Sequence, residues 1–201
     1  MSEGENVVKN KVAVYSTLGA RNYAKNARQK DDFYATPPIA IIKLLEQEKF
    51  HSNIWECACG EGHISRILKF YGYKVRSTDL YYRGYGKGGI DFLNVNKEDL
   101  WYQKKSDIIT NPPYKYALKF VQKALSLIDD GYKVAMLLRI QFLESKSRKK
   151  LFEENPPKVV YVFSERIGCW QDGKPIHGSA ICFCWFVWEK GYKGDPIIKW
   201  I

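Results

Sequence analysis

Asp107-Ile108-Ile109-Thr110-Asn111-Pro112-Pro113-Tyr114 is the stretch from which the rest of the chain can be placed. Ile108, Ile109 and Thr110 are β-branched and suit a buried strand. That strand has to stop at the two prolines, which lack an N–H and hold φ near about −65°. A residue before proline is pushed towards extended geometry, so Asn111 is predicted as the last extended residue, its amide presented at the strand end. Residues 117–128 then repeat apolar side chains at helical spacing with lysines on the other face, and 133–138 form a near-continuous apolar run. Strand, helix, strand in that order is the unit of a parallel α/β sheet.

The same unit recurs upstream. Residues 53–56 read as a strand, Glu56-Cys57-Ala58-Cys59-Gly60-Glu61-Gly62 as an acid followed by a glycine turn, and 63–72 as a helix. Gly60 and Gly62 permit a tight turn and a close ligand, and the helix start beyond them offers free N–H groups to a carboxylate. Residues 73–79 form a second strand ending in Asp79, placed to accept two ribose hydroxyls. A loop rich in glycine and tyrosine, 81–89, could fold over a nucleoside, and Asp91-Phe92-Leu93 follows. Before the first strand, 31–38 is a loop. Thr36 is predicted to cap the next helix, with Pro37 at its first position.

Downstream, Gly131 fits a helix stop. A charged helix over 145–155 carries Lys146, Arg148, Lys149 and Lys150 and closes at Pro156-Pro157. A strand over 158–163, a loop over 164–179 with Arg166, Cys169, Trp170, Lys174 and His177, and an aromatic strand over 180–188 complete the order. The last two strands are joined without a helix, so they are expected to pair antiparallel, near the sheet edge. Glu56, Asp79, Asp91 and Asn111 all fall at or near predicted strand ends, where α/β sheets bind ligands.

At 201 residues the chain is read as one domain over 31–201, preceded by a polar, basic arm over 1–30. Its formal net charge of +10 favours phosphate backbones. Within that arm Arg21, Lys25 and Arg28 are candidate contacts to nucleic acid, as are Lys115, Arg139, Lys146, Arg148, Arg166 and Trp170 further on. No apolar run approaches a membrane span, and the polar N-terminus lacks a secretory core. Five cysteines, an odd number, point to the reducing cytosol. Cys57/Cys59 and Cys182/Cys184 are each separated by one residue, whereas structural zinc sites use two to four, so core packing and no metal are expected.

With these residues in view, the chain resembles class I S-adenosylmethionine-dependent amino-methyltransferases, the group that methylates adenine N6. Asn111-Pro112-Pro113-Tyr114 looks like their catalytic motif, and Phe33-Tyr34-Ala35-Thr36-Pro37-Pro38 like their N-terminal cofactor motif. The resemblance implies a Rossmann-like sheet of seven strands, mostly parallel with one antiparallel, and helices on both faces. It implies S-adenosylmethionine as cofactor. Tyr34, Thr36 and Pro37 would lie over its methionine part, and Glu56 would help hold its ammonium beside Cys57, Ala58, Gly60 and Gly62. Asp79 and Leu80 would take the ribose, Asp91 and Phe92 the adenine, with Asn111 alongside.

The chemistry implied is positional. Adenine's amino lone pair is delocalised into its ring. Accepting both amine hydrogens, at the Asn111 side-chain oxygen and the Pro112 carbonyl, draws the nitrogen towards tetrahedral geometry. Pro113 stiffens the turn and Tyr114 would stack on a base flipped from its duplex. Similar motifs serve RNA adenine or guanine and the glutamine of release factors, and a non-catalytic protein holding cofactor and nucleic acid is a further alternative. The run Ser16 to Pro38, with Trp55 to Ser65, is similar to small phage and prophage DNA adenine methyltransferases. DNA is therefore the expected partner, RNA the alternative. A target-recognition domain is missing, so weak sequence reading or a partner subunit is expected.

Overall fold

The computed structural model describes residues 35–98, 105–167, 170–171, 174–175 and 181–201. Strand β1 (Asn53–Glu56) is followed by β2 (Lys74–Ser77), β3 (Asp107–Thr110), β4 (Lys133–Arg139) and β5 (Val159–Val162). A two-residue hairpin, β6 (Trp170–Gln171) and β7 (Lys174–Pro175), precedes β8 (Phe183–Glu189) and β9 (Ile197–Trp200). Seven strands form one sheet in the order β2-β1-β3-β4-β8-β5-β9. All neighbours are parallel except β8, which runs against both β4 and β5. This mixed sheet, with helices on both faces, has the Rossmann-like α/β architecture expected.

Side chains alternate across the sheet and build two cores. On one face Ile54, Ile109, Leu137 and Trp185 meet helix α1 (Pro38–Gln47) through Ala40, Ile41 and Leu44, and helix α2 (His63–Phe70) through Ile64 and Leu68. On the other face Trp55, Ile108, Met136 and Phe186 meet helix α3 (Ala117–Leu127) through Phe120, Val121 and Ala124. Helix α4 (Lys146–Glu154) adds Leu151 to that second core. Each fully buried large apolar side chain contributes roughly 1.5–3 kcal/mol, whereas the ion pairs along α4, Lys149–Glu153 and Lys150–Glu154, are worth about 0.3–0.5 each. Packing on the sheet, not the charge pattern, holds α4 in place. No helix among the described residues is long and apolar enough to cross a membrane.

Four readings need correction. Thr36 does not cap α1: Pro37 occupies the cap position, Pro38 the first helical one, and the Thr36 hydroxyl is engaged elsewhere. The antiparallel strand β8 lies inside the sheet, because β5 and a further strand, β9, stand outside it. That strand escaped notice because its residues are exposed along their whole length and show no alternation of apolar and polar. The loop over 164–179 contains the β6–β7 hairpin. Gly131, with φ +83°, serves the turn into β4, while α3 ends earlier at an extended Ile128.

The amino ends of the strands are tied by polar contacts. Buried Asp107 accepts from the backbone N–H of His51 at 2.6 Å and of Lys133 at 2.7 Å. Glu48 accepts from Lys133 Nζ and from the Tyr161 hydroxyl, both at 2.6 Å. This end of the sheet is built for cohesion.

Candidate active site at the strand carboxyl ends

The carboxyl ends of β2, β1 and β3 lie side by side, so Asp79, Glu56 and Asn111 leave three adjacent strands in a row. Glu56 closes β1 with 1% of its surface exposed. The Ser65 hydroxyl of α2 donates to its Oε2, and Ser65 Oγ lies 2.5 Å from Ser77 Oγ at the end of β2. Burial pushes the Glu56 carboxyl up to about 8, outweighing the serine bonds that pull it down. A carboxyl of this kind is neutral near pH 7 until a cation comes beside it.

Asp79 braces the glycine turn. Its Oδ2 accepts from Gly60 N at 2.8 Å and its Oδ1 from Tyr81 N at 3.0 Å. Gly62 has φ +83° and heads α2, and a Cβ there would stand 2.3 Å from the Tyr85 ring. Glycine is required on both counts. The loop after Asp79 therefore folds back onto the glycine turn, with Lys87 N donating to Ser77 O and Asp79 N donating to Lys87 O, both at 3.0 Å. Leu80 is exposed beside it. Trp55 Nε1 donates to Thr78 Oγ1 at 2.9 Å, locking the two strand ends together.

Asn111 stands one residue beyond β3, half-buried, and its Nδ2 donates to Thr36 Oγ1 at 3.0 Å. Two stretches 75 residues apart thus meet in one hydrogen bond. Pro112 is buried behind it, with Pro37 likewise buried next to Thr36. The Pro113 carbonyl accepts from Tyr116 N at 2.8 Å, turning the chain into α3. The ring of Tyr114 packs on Phe183, centroids 5.7 Å apart, and carries the Arg139 guanidinium 4.8 Å from its centre.

Other expected residues fall differently. Asp91 caps a short 3₁₀ turn, accepting from Leu93 N at 3.0 Å and Asn94 Nδ2 at 2.8 Å. Phe92 is buried between Trp55 and Phe120, so its ring belongs to the core. Ala58 is half-buried at the turn. Burial raises the Cys57 thiol well above its usual range and the Cys59 thiol to about 12, so both stay protonated. Among the described residues no three His, Cys, Asp or Glu side chains gather to hold a metal. Lys115 and Lys146 are exposed, as is Arg166. Arg148 lies over Phe142 and donates to the Gln141 and Glu144 carbonyls, which ties α4 to the preceding turn. Tyr34, Arg21, Lys25 and Arg28 lie outside the described residues, as does the side chain of Trp170.

Ser65, Tyr85 and Phe183 were not anticipated. Ser65 carried a faint signal, a small polar residue just after the glycine turn among apolar helix positions. Tyr85 and Phe183 carried none, since their contacts depend on how distant segments meet.

No protein-family model matches the sequence, and no curated protein does. Solved structures match in fold. A modification subunit assigned to a type I restriction enzyme of Vibrio vulnificus is 13% identical with a TM-score of 0.60, covering 100% of this chain and 53% of that one. This chain thus spans about half the length of that subunit. A protein of Listeria monocytogenes assigned as a class I S-adenosylmethionine-dependent methyltransferase is 12% identical, TM-score 0.60, covering 96% and 71% respectively. One of Pyrococcus horikoshii assigned as an RNA methyltransferase is 18% identical, TM-score 0.56, covering 90% and 98%. The two-core mixed sheet with its reversed strand β8 is therefore the Rossmann-like fold of class I methyltransferases.

Proposed function

We propose that this chain is a methyltransferase that uses S-adenosylmethionine to methylate the exocyclic amine of adenine in DNA. The observation that carries the reading is the placement of Asn111, oriented by Thr36, beside Glu56 and Asp79 on neighbouring strand ends. Glu56 fits a cofactor bearing an ammonium, because a cation beside it offsets its desolvation. Asp79 and Asp91 keep acceptor capacity beyond the bonds they already take. Bound there, the cofactor supplies an electrophilic sulfonium methyl.

The chain's own groups do the positioning. With Thr36 holding Nδ2, the Asn111 oxygen would accept one amine hydrogen and the Pro112 carbonyl the second. The amine lone pair is then directed away from the ring. Tyr114, backed by Phe183, and the Arg139 plane offer stacking surface for the base. The proton leaves after transfer, once the nitrogen is positively charged, so no strong base is required.

The net charge of +10 supports a nucleic acid as acceptor. The likeness in fold to a restriction modification subunit, with the resemblance of residues 16–38 and 55–65 to phage DNA enzymes, supports DNA and a partner subunit that chooses the target. RNA is the second reading, favoured by the matching size of the Pyrococcus protein. Incubation with labelled S-adenosylmethionine and, separately, duplex DNA, single-stranded DNA, RNA and a release factor tests it. The expected product is N6-methyl-2′-deoxyadenosine in DNA. Asn111→Ala is expected to abolish transfer while cofactor affinity stays nearly constant. Transfer that survives this change would remove Asn111 from the mechanism.

A further inference from the structure

We infer that the outer margin of the sheet, along α2 and the loop after β2, is a track for a single nucleic-acid strand; this rests on the nucleic-acid reading above. Along α2 and the loop after β2 lie four cations, Arg66, Lys69, Arg83 and Lys87, against one acid, Asp79. That acid is buried and bound to two backbone N–H groups, so it presents little charge outward.

Rings alternate with these cations. Phe70 is 85% exposed and Tyr82 71%, with Tyr71 and Tyr81 also exposed. Tyr85 lies on the Gly62 turn with the Arg66 guanidinium 4.7 Å and Lys69 Nζ 5.2 Å from its centre. Phe70 follows Arg66 by four positions and so sits one turn along the same helix face. Within the loop, Arg83 lies 5.7 Å from the Tyr81 centre.

These rings stay largely bare despite their local contacts, and bare phenyl surface is costly in water. Flat rings beside cations suit stacked bases and the phosphates that link them, without regard to sequence. A cofactor does not account for the far end of the track. Phe70 lies at the other end of the eight-residue α2 from the glycine turn, about 12 Å away at 1.5 Å per residue. The near end is close to the candidate active site. The end of β2 is two strands from β3, about 10 Å, the span of roughly three stacked nucleotides. A strand laid on the track would lead one of its bases to Asn111.

The test is fluorescence anisotropy of the full chain with labelled twelve-nucleotide single strands of DNA and RNA and a matched duplex, over a range of salt. Phe70→Ser with Tyr82→Ser is expected to weaken single-strand binding at least tenfold with the salt slope unchanged. Arg66→Gln with Lys69→Gln is expected to lower the salt slope by about 1.4, two phosphates at about 0.7 each. Cofactor affinity, read by calorimetry, is expected to stay at the wild-type value in both. Wild-type single-strand affinity and slope in both variants would overturn the track, as would an equal loss of cofactor affinity or an effect confined to the duplex. If nucleic acid is methylated normally while the variants bind normally, the track fails and the proposed function stands. If the unaltered protein methylates no nucleic acid yet loses single-strand binding in these variants, the track stands and the proposed function fails.

Discussion

Glu56 carries the clearest residue-scale consequence. Its carboxyl titrates near 8 in the folded protein against 4.5 ordinarily, so between those values the folded state holds a proton that the unfolded chain has released. Stability contributed by this group falls as pH rises through that window, by up to about 5 kcal/mol at 1.36 kcal/mol per unit. Glu56→Gln keeps the shape and cannot ionise. The expected outcome in urea denaturation of the ligand-free protein is that the variant gains on the wild type from pH 4.5 to 8 and that the gap levels above 8. Thr36 acts through Asn111. Removing its hydroxyl with Thr36→Val costs the amide one bond worth about 1 kcal/mol. A drop in kcat of roughly three- to tenfold is expected, with melting temperature lowered by only about 2–4 °C. The chemical types at these positions could be read directly from sequence, since an acid before a glycine turn and an amide before prolines have few uses. Their partners could not, because Ser65 reaches Glu56 across a turn and Thr36 reaches Asn111 across 75 residues.

At the scale of elements, the glycine turn between β1 and α2 is the most constrained piece. Gly62 has φ +83° and supports the Tyr85 ring, so Gly62→Ala adds backbone strain and a clash together. A loss of about 2–4 kcal/mol in chemical denaturation is expected, and pairing it with Tyr85→Ala should restore part but not all of it. Recovery to full stability would show that φ imposes no cost. Strand and helix order was legible because buried runs and helical spacing repeat along the chain. β9 was not, since an exposed edge strand needs no apolar alternation, and neither was the loop over the glycine turn, whose backbone bridges to β2 obey no local pattern.

Across the whole molecule the two ends of the sheet divide cohesion from chemistry. Glu48, Lys133, Tyr161 and Asp107 knit the amino ends, while Glu56, Asp79 and Asn111 meet at the other. Glu48→Ala would leave Tyr161 and Lys133 without a carboxylate, at a cost of about 1–3 kcal/mol. Thermal melting should fall while methyl transfer, assayed well below the transition, keeps its wild-type kcat. The amino-acid order by itself determined the α/β class, the strand endings and the chemical groups standing there, because periodicity, prolines and glycines act locally. Only the tertiary structure decided which strand ends are neighbours, that Thr36 serves Asn111 rather than α1, that Phe92 is core, and that rings and cations of α2 and its neighbouring loop form one surface. Those outcomes depend on contacts between segments far apart in the chain, which no local pattern of residues encodes.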